Sequence, residues 1–172
     1  MNLITAVDKG FGIGCDGELL FSVPEDMQHF KRLTENKIVI MGNCTLKSLP
    51  KSQPLKKRTN IVLSRGETKI EGAVICNSIE QLFNQIKKYN PDDIFVIGGQ
   101  FVYEQLIDYC TRAYITRIDS NLKADRFFPN IDDMAHWKLQ SESPIKTHDG
   151  LSYVFTEYIN TRPYSVAGIS TE

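Results

Sequence analysis

A chain of 172 residues with 20 Lys and Arg against 21 Asp and Glu has a formal charge of −1. That is enough length for one sizeable core and too balanced a charge for bulk attraction to nucleic acid. The cysteines Cys15, Cys44, Cys76 and Cys110 stand far apart, without a Cys-x-x-Cys pair or a histidine at zinc-like spacing, so reduced thiols and no metal centre are expected.

The first apolar run, residues 3–7, meets Asp8 and Lys9 too soon for a signal segment, and no run reaches membrane-spanning length. A cytoplasmic protein that leaves membranes alone is the expectation. Residues 8–20 carry Gly10, Gly12, Gly14 and Gly17, which reads either as a mobile lid or as an irregular connection. A helix follows. Ser22-x-x-Glu25 has the form of a capping box with Pro24 in the opening turn. At roughly 100° per residue, Val23, Met27, Phe30 and Leu33 share one face, and Asp26 falls between Phe30 and Leu33. An acid on that stripe is either a first-turn carboxylate held by the helix N-terminus or one whose pKa is lifted by burial, able to pass on a proton.

The strand-like run 38–41 leads into Gly42, Asn43 and Cys44 and a short helix over 45–49. Residues 51–58, with Lys56, Lys57 and Arg58 adjacent, read as a solvated loop or as a rim for an acidic ligand tail with Leu55 over its apolar part. The run 60–63 ends at Ser64-Arg65, and another short run covers 73–75. Ser78 and Gln81 repeat the capping-box pattern ahead of a helix over 78–89. The run 94–97 enters Gly98-Gly99 and then a helix over 100–109, a junction that is a tight turn or a phosphate-accepting helix start. No G-x-G-x-x-G fingerprint is present, so a standard Rossmann dehydrogenase is not supported.

After the run 113–118, two alternating stretches, 137–143 and 151–158, read as a hairpin joined by 144–150. Strands alternating with helices predict a single α/β domain over 1–160. It has a central, mostly parallel twisted sheet, an antiparallel C-terminal edge hairpin and about four flanking helices. Residues 161–172 lack an apolar face and read as a loose tail.

The ordered motifs resemble the dihydrofolate reductase family over about residues 1–160. They are Ala6-Val7-Asp8, Ile13-Gly14, Pro24-Glu25-Asp26-Met27-x-x-Phe30-Lys31 and Val39-Ile40-Met41-Gly42-x-x-Thr45, followed by Arg58-Thr59-Asn60-Ile61-Val62-Leu63-Ser64, Ile97-Gly98-Gly99-x-x-Val102-Tyr103 and Tyr114-Ile115-Thr116-x-Ile118. The resemblance implies NADPH-dependent reduction of 7,8-dihydrofolate to tetrahydrofolate by a monomer that binds small molecules and not nucleic acid. It implies Asp26 and Thr116 as catalytic residues, Asp26 assisting protonation at pterin N5. The substrate set it implies is Ile4, Asp26, Met27, Phe30, Leu49, Leu55, Arg58, Ile97, Tyr103 and Thr116, with Arg58 on the glutamate carboxylate. For the cofactor it implies Ala6, Ile13, Gly14 and Leu19; Gly42, Asn43, Cys44 and Thr45; Leu63, Ser64, Arg65 and Asn77; and Ile97, Gly98, Gly99, Gln100, Phe101, Val102 and Tyr103.

Three departures from the family pattern are visible. Leu20-Phe21 stands where many members have Pro-Trp, Asn43 where a base is frequent, and Ala124 where Gly is frequent. Two rivals remain at this stage: a riboflavin-pathway reductase of the same architecture, and a non-catalytic folate- or nucleotide-binding protein.

Overall fold

A computed structural model describes residues 1–66 and 69–166. The elements run β1 (Asn2–Val7), β2 (Gly12–Cys15), β3 (Glu18–Leu19), α1 (Pro24–Thr34), β4 (Ile38–Gly42), α2 (Asn43–Ser48), β5 (Thr59–Leu63), β6 (Ala73–Cys76), α3 (Ile79–Ile86), β7 (Ile94–Gly98) and α4 (Gln100–Leu106). Then come β8 (Arg112–Ile118), β9 (Arg126–Phe127), β10 (Trp137–Glu142), β11 (Lys146–His148) and β12 (Leu151–Asn160).

The main sheet has the order β10-β12-β8-β1-β7-β4-β5-β6, with β11 beside β12. Neighbours from β8 to β6 run parallel, while β12 pairs antiparallel with β8, β10 and β11. Both faces are covered, which is why the parallel strands read as continuous apolar runs. Leu3, Ile40 and Val96 point into one core cluster with Leu82, Phe83, Ile86 and Leu106 of α3 and α4. Ile4, Val39, Met41 and Ile97 point into the other, against Phe30 and Leu33 of α1 and Leu46 of α2. This is the expected mixed sheet with its antiparallel edge and four helices.

Several local expectations need correction. Residues 8–20 are not all loop: β2 pairs with β3 and with β9 in a separate three-stranded sheet. Glycine serves close packing there, since a Cβ on Gly12 would lie 2.7 Å from Ala124 Cβ and 2.9 Å from Leu20 Cδ1. The connection 144–150 supplies a further strand, β11, paired with β12. Two Asp-Gly turns make these hairpins. Asp16 and Gly17 have φ of 53° and 85°, Asp149 and Gly150 of 46° and 79°, the double positive φ of a two-residue type I′ loop.

The capping box at Ser22 does not form. Val23 is the N-cap of α1, without a side-chain bond. Glu25 instead accepts from Lys146 Nζ at 2.6 Å and Tyr153 Oη at 2.7 Å, and the Lys146 contact holds its carboxyl below the usual range. A longer-range ion pair outcompeted the local cap. At α3 the serine half of the second pattern does form, Gln81 N donating to Ser78 Oγ at 3.1 Å, while the Gln81 side chain reaches one residue past the cap and accepts from Asn77 N at 2.8 Å.

Residues 161–166, read from sequence as the start of a loose tail, bond back to the body. Thr161 N donates to His136 O, Tyr164 N to Asp108 O, and Tyr164 meets the Tyr109 ring edge-on. The rest of that segment, 167–172, lies outside the described residues. Among the described residues, no helix is long and apolar enough to cross a membrane.

Candidate active site

Parallel strands deliver their carboxyl ends to one edge of the sheet, where open α/β sheets bind ligands. Here β1, β4 and β7 end beside α1, α2 and the β2–β3 hairpin, and together they enclose a cleft of about 1170 Å³.

Asp26 lies in the wall of this cleft. In-register pairing of β1 with β8 sets Thr116 beside Ala6, and from there Thr116 Oγ1 donates to Asp26 Oδ1 at 2.5 Å. Burial lifts the Asp26 pKa above its ordinary value, and the Thr116 bond works in the opposite direction. Desolvation is the larger effect, so the side chain keeps its proton to higher pH than a surface aspartate. The apolar face beside it, with Phe30 and Met27 of α1, Ile4 of β1, and Leu49 and Leu55, forms a channel lined at its far side by Arg58. Arg58 Nε and Nη2 donate to Thr34 Oγ1 at 3.3 and 3.2 Å, and Nη1 to Lys56 O at 2.8 Å. A guanidinium has five N–H groups, so one on each Nη stays available as a fork. Partial burial lowers the Arg58 pKa, with Glu35 opposing.

The other half of the cleft is built of backbone. β4 and β7 are neighbours, and each runs into a helix whose N-cap is a glycine without a side-chain bond, Gly42 for α2 and Gly99 for α4. The first N–H groups of both helices are therefore unclaimed by side-chain caps and suit an anion. Gly98 has φ of +119°, and its missing Cβ would sit 3.2 Å from the Tyr103 ring, whose hydroxyl donates to Ile4 O at 2.8 Å. Tyr103 is thereby buried with its hydroxyl pKa raised by desolvation. Beyond these helix starts, Arg65 lies over the Phe101 ring at 5.3 Å, and Asn77 Nδ2 ties the loop after β6 to Ser64 O at 2.8 Å. The cradle of small residues, open N–H groups and Arg65 fits a dinucleotide that carries an extra phosphate.

Every residue implied for substrate or cofactor lines this cleft except Thr116, which stands behind Asp26. Thr5, Cys15, Leu20, Phe21, Gln28, Lys31, Ser48 and Arg126 line it as well and were not anticipated as site residues. Lys31 follows from helical spacing, four residues after Met27, whereas Gln28 lies off the Met27 and Phe30 face and has no such signal. Arg126 has no local signal, because only the pairing of Gly14 with Arg126 brings it to the wall. Leu20 and Phe21, the departure noted before the helix, form apolar wall there, and Phe21 packs on the Val23, Ile118 and Tyr153 cluster.

A family model described as dihydrofolate reductase matches residues 1–160. The chain is 35% identical over 172 residues to dihydrofolate reductase type 9 of Escherichia coli, covering 96% of each. It is 36% identical over 138 residues to dihydrofolate reductase of Buchnera aphidicola subsp. Acyrthosiphon pisum, covering 80% of this chain and 84% of that one. Among solved structures it resembles dihydrofolate reductase from Enterococcus faecalis complexed with NADP(H) and RAB-propyl. That match has a TM-score of 0.83 and 29% identity, and covers 92% of this chain and 95% of that one. With a half-buried acid, two uncapped helix starts and a basic fork meeting in one cleft, and with the match running through all three, the chain belongs to the dihydrofolate reductase family.

Proposed function

We propose that this cleft carries out the family's reaction, reduction of 7,8-dihydrofolate to tetrahydrofolate with NADPH, and that Asp26 and Thr116 are its catalytic residues. The observation that carries this reading is the Asp26 carboxyl in an apolar wall, its pKa raised by burial and its side chain bonded by the Thr116 hydroxyl. When bound, NADPH supplies the hydride.

The chain's own residues do the rest. Asp26 holds the pterin ring and provides the proton that reaches N5, a task suited to an acid whose pKa has been moved toward neutrality. Thr116 fixes the orientation of that carboxyl, which matters because proton transfer depends on near-contact geometry. Ile4, Ile97, Phe30, Leu49 and Leu55 exclude water around the ring system, and Met27 lines the same wall. The free Nη fork of Arg58 takes the glutamate carboxylate. Ala6, Ile13, Gly14 and Leu19 face the nicotinamide end of the cofactor. The helix starts after Gly42 and Gly99, with Asn43, Cys44 and Thr45, take the pyrophosphate, and Ser64 with Arg65 takes the 2′-phosphate. Asn43 offers no charge, so Arg65 carries most of the preference for the phosphorylated cofactor.

Residues 1–160 are the catalytic unit on this reading, supported by the extent of the family match. The same reading takes the protein to be a monomer, and four free thiols support a reducing compartment such as the cytoplasm. The test is NADPH oxidation followed by absorbance with and without dihydrofolate. Oxidation is expected only with the substrate present, and Asp26→Asn is expected to lower the rate by about a hundredfold or more at neutral pH, the scale of a lost general acid. A variant as fast as the parent refutes the role.

A further inference from the structure

Asp8 sits at the end of β1, outside the cleft lining, and is only 3% exposed. Among the described residues it forms no ion pair; its neighbour Lys9 pairs with Asp119 instead. Its charge is met by backbone. Oδ1 accepts from Gly10 N at 2.9 Å and Gly12 N at 2.8 Å, and Oδ2 accepts from Leu122 N at 3.1 Å. The two oxygens therefore serve different segments. One gathers the glycine-rich turn before β2, and the other holds the loop that leads to β9. That turn continues into β2, which puts Ile13 and Gly14 in the cleft wall, and the loop continues into β9, which puts Arg126 there.

A buried carboxylate with no cation partner is costly unless several donors converge on it. Three N–H groups do so here, and they belong to both segments that build the small sheet. Lys9 N, donating to Ser120 O at 3.0 Å, adds a parallel tie between the same two segments.

We propose that Asp8 is a positioning residue for the reaction, its carboxylate coupling the β2 wall of the cleft to the 119–125 loop so that the two hold as one body on the cofactor side. This rests on the reductase reading only for its kinetic consequence. The coupling itself is a property of the free protein.

The two-oxygen division makes a sharp test. In Asp8→Asn one oxygen still accepts from Gly10 and Gly12, while the new amide sets a donor against the Leu122 N–H, so the inter-loop bond alone is lost. Leu122→Pro removes the same bond from the other side, at an exposed loop position, and leaves Asp8 intact. Amide hydrogen exchange on the ligand-free protein is expected to accelerate about ten-fold in residues 10–19 and 120–127 together, in both variants, with β4 and β7 unchanged. The KM for NADPH is expected to rise about five-fold or more while the KM for dihydrofolate holds, a split that loss of general stability does not produce. Acceleration confined to residues 10–14, uniform acceleration across the sheet, or no change in either variant overturns the proposal. Should Asp8→Asn fail to fold, Leu122→Pro carries the same outcomes. Wild-type protein that does not oxidise NADPH with dihydrofolate sinks the proposed reaction but leaves the exchange result to decide the coupling.

Discussion

Asp26 is held by two opposed influences, burial raising its pKa and the Thr116 bond lowering it, with burial the larger. A native pKa above the unfolded one means the folded chain binds more protons between those two values, so stability falls as pH rises through that window. Below the unfolded value, about pH 4, the group is neutral in both states and costs nothing. Asp26→Asn, neutral throughout, is therefore expected to be more stable than the parent at pH 7. Its advantage should shrink toward pH 4, as thermal melts of the pair at several pH values will read. An advantage that is flat with pH, or a variant less stable at pH 7, removes the desolvated-acid account. The position of Asp26 between Phe30 and Leu33 was legible from helical spacing. Its partner was not, because Thr116 lies 90 residues away and only strand register brings it close.

At the scale of single elements, the two capping-box patterns make a controlled pair. Ser78 accepts from Gln81 N at the start of α3, whereas Ser22 caps nothing and Glu25 is drawn to Lys146 and Tyr153. Ser78→Ala is expected to cost about 1 kcal/mol and Ser22→Ala close to none, measured by urea denaturation. Equal losses would show that α1 uses its serine after all. The same contest between local and distant partners explains the elements that sequence reading missed. Asp16-Gly17 and Asp149-Gly150 are strong hairpin signals, yet each flanks strands too short to show alternation, β3 with two residues and β11 with three. Such strands exist because a neighbour, β2 or β12, offers them a ladder.

Across the whole molecule, the cleft is assembled from β1, α1, β4, α2, β7, α4 and the β2–β3 hairpin, so a ligand filling it bridges segments spread along the chain from Ile4 to Arg126. NADPH at a hundredfold excess over its Kd is expected to stabilise the fold by about 2.7 kcal/mol, the linkage value for a ligand that binds only the native state. For a chain of this size that corresponds to a melting rise of roughly 5–10 °C by calorimetry. NADH, lacking the phosphate that Arg65 is proposed to meet, should give a smaller rise at equal concentration. The sequence by itself determined the α/β class, the order of the main strands and helices, the acid on the apolar stripe and the glycine junctions at strand ends. All of these are written in local periodicity and backbone permissiveness, and the motif order carried the family. Tertiary structure alone decided that Thr116 meets Asp26, that Glu25 leaves its helix cap for Lys146, that Arg126 joins the wall and that Asp8 ties two loops together. Each of those depends on strand register and burial, which set distances between residues far apart in the chain and so leave no trace in any short window of it.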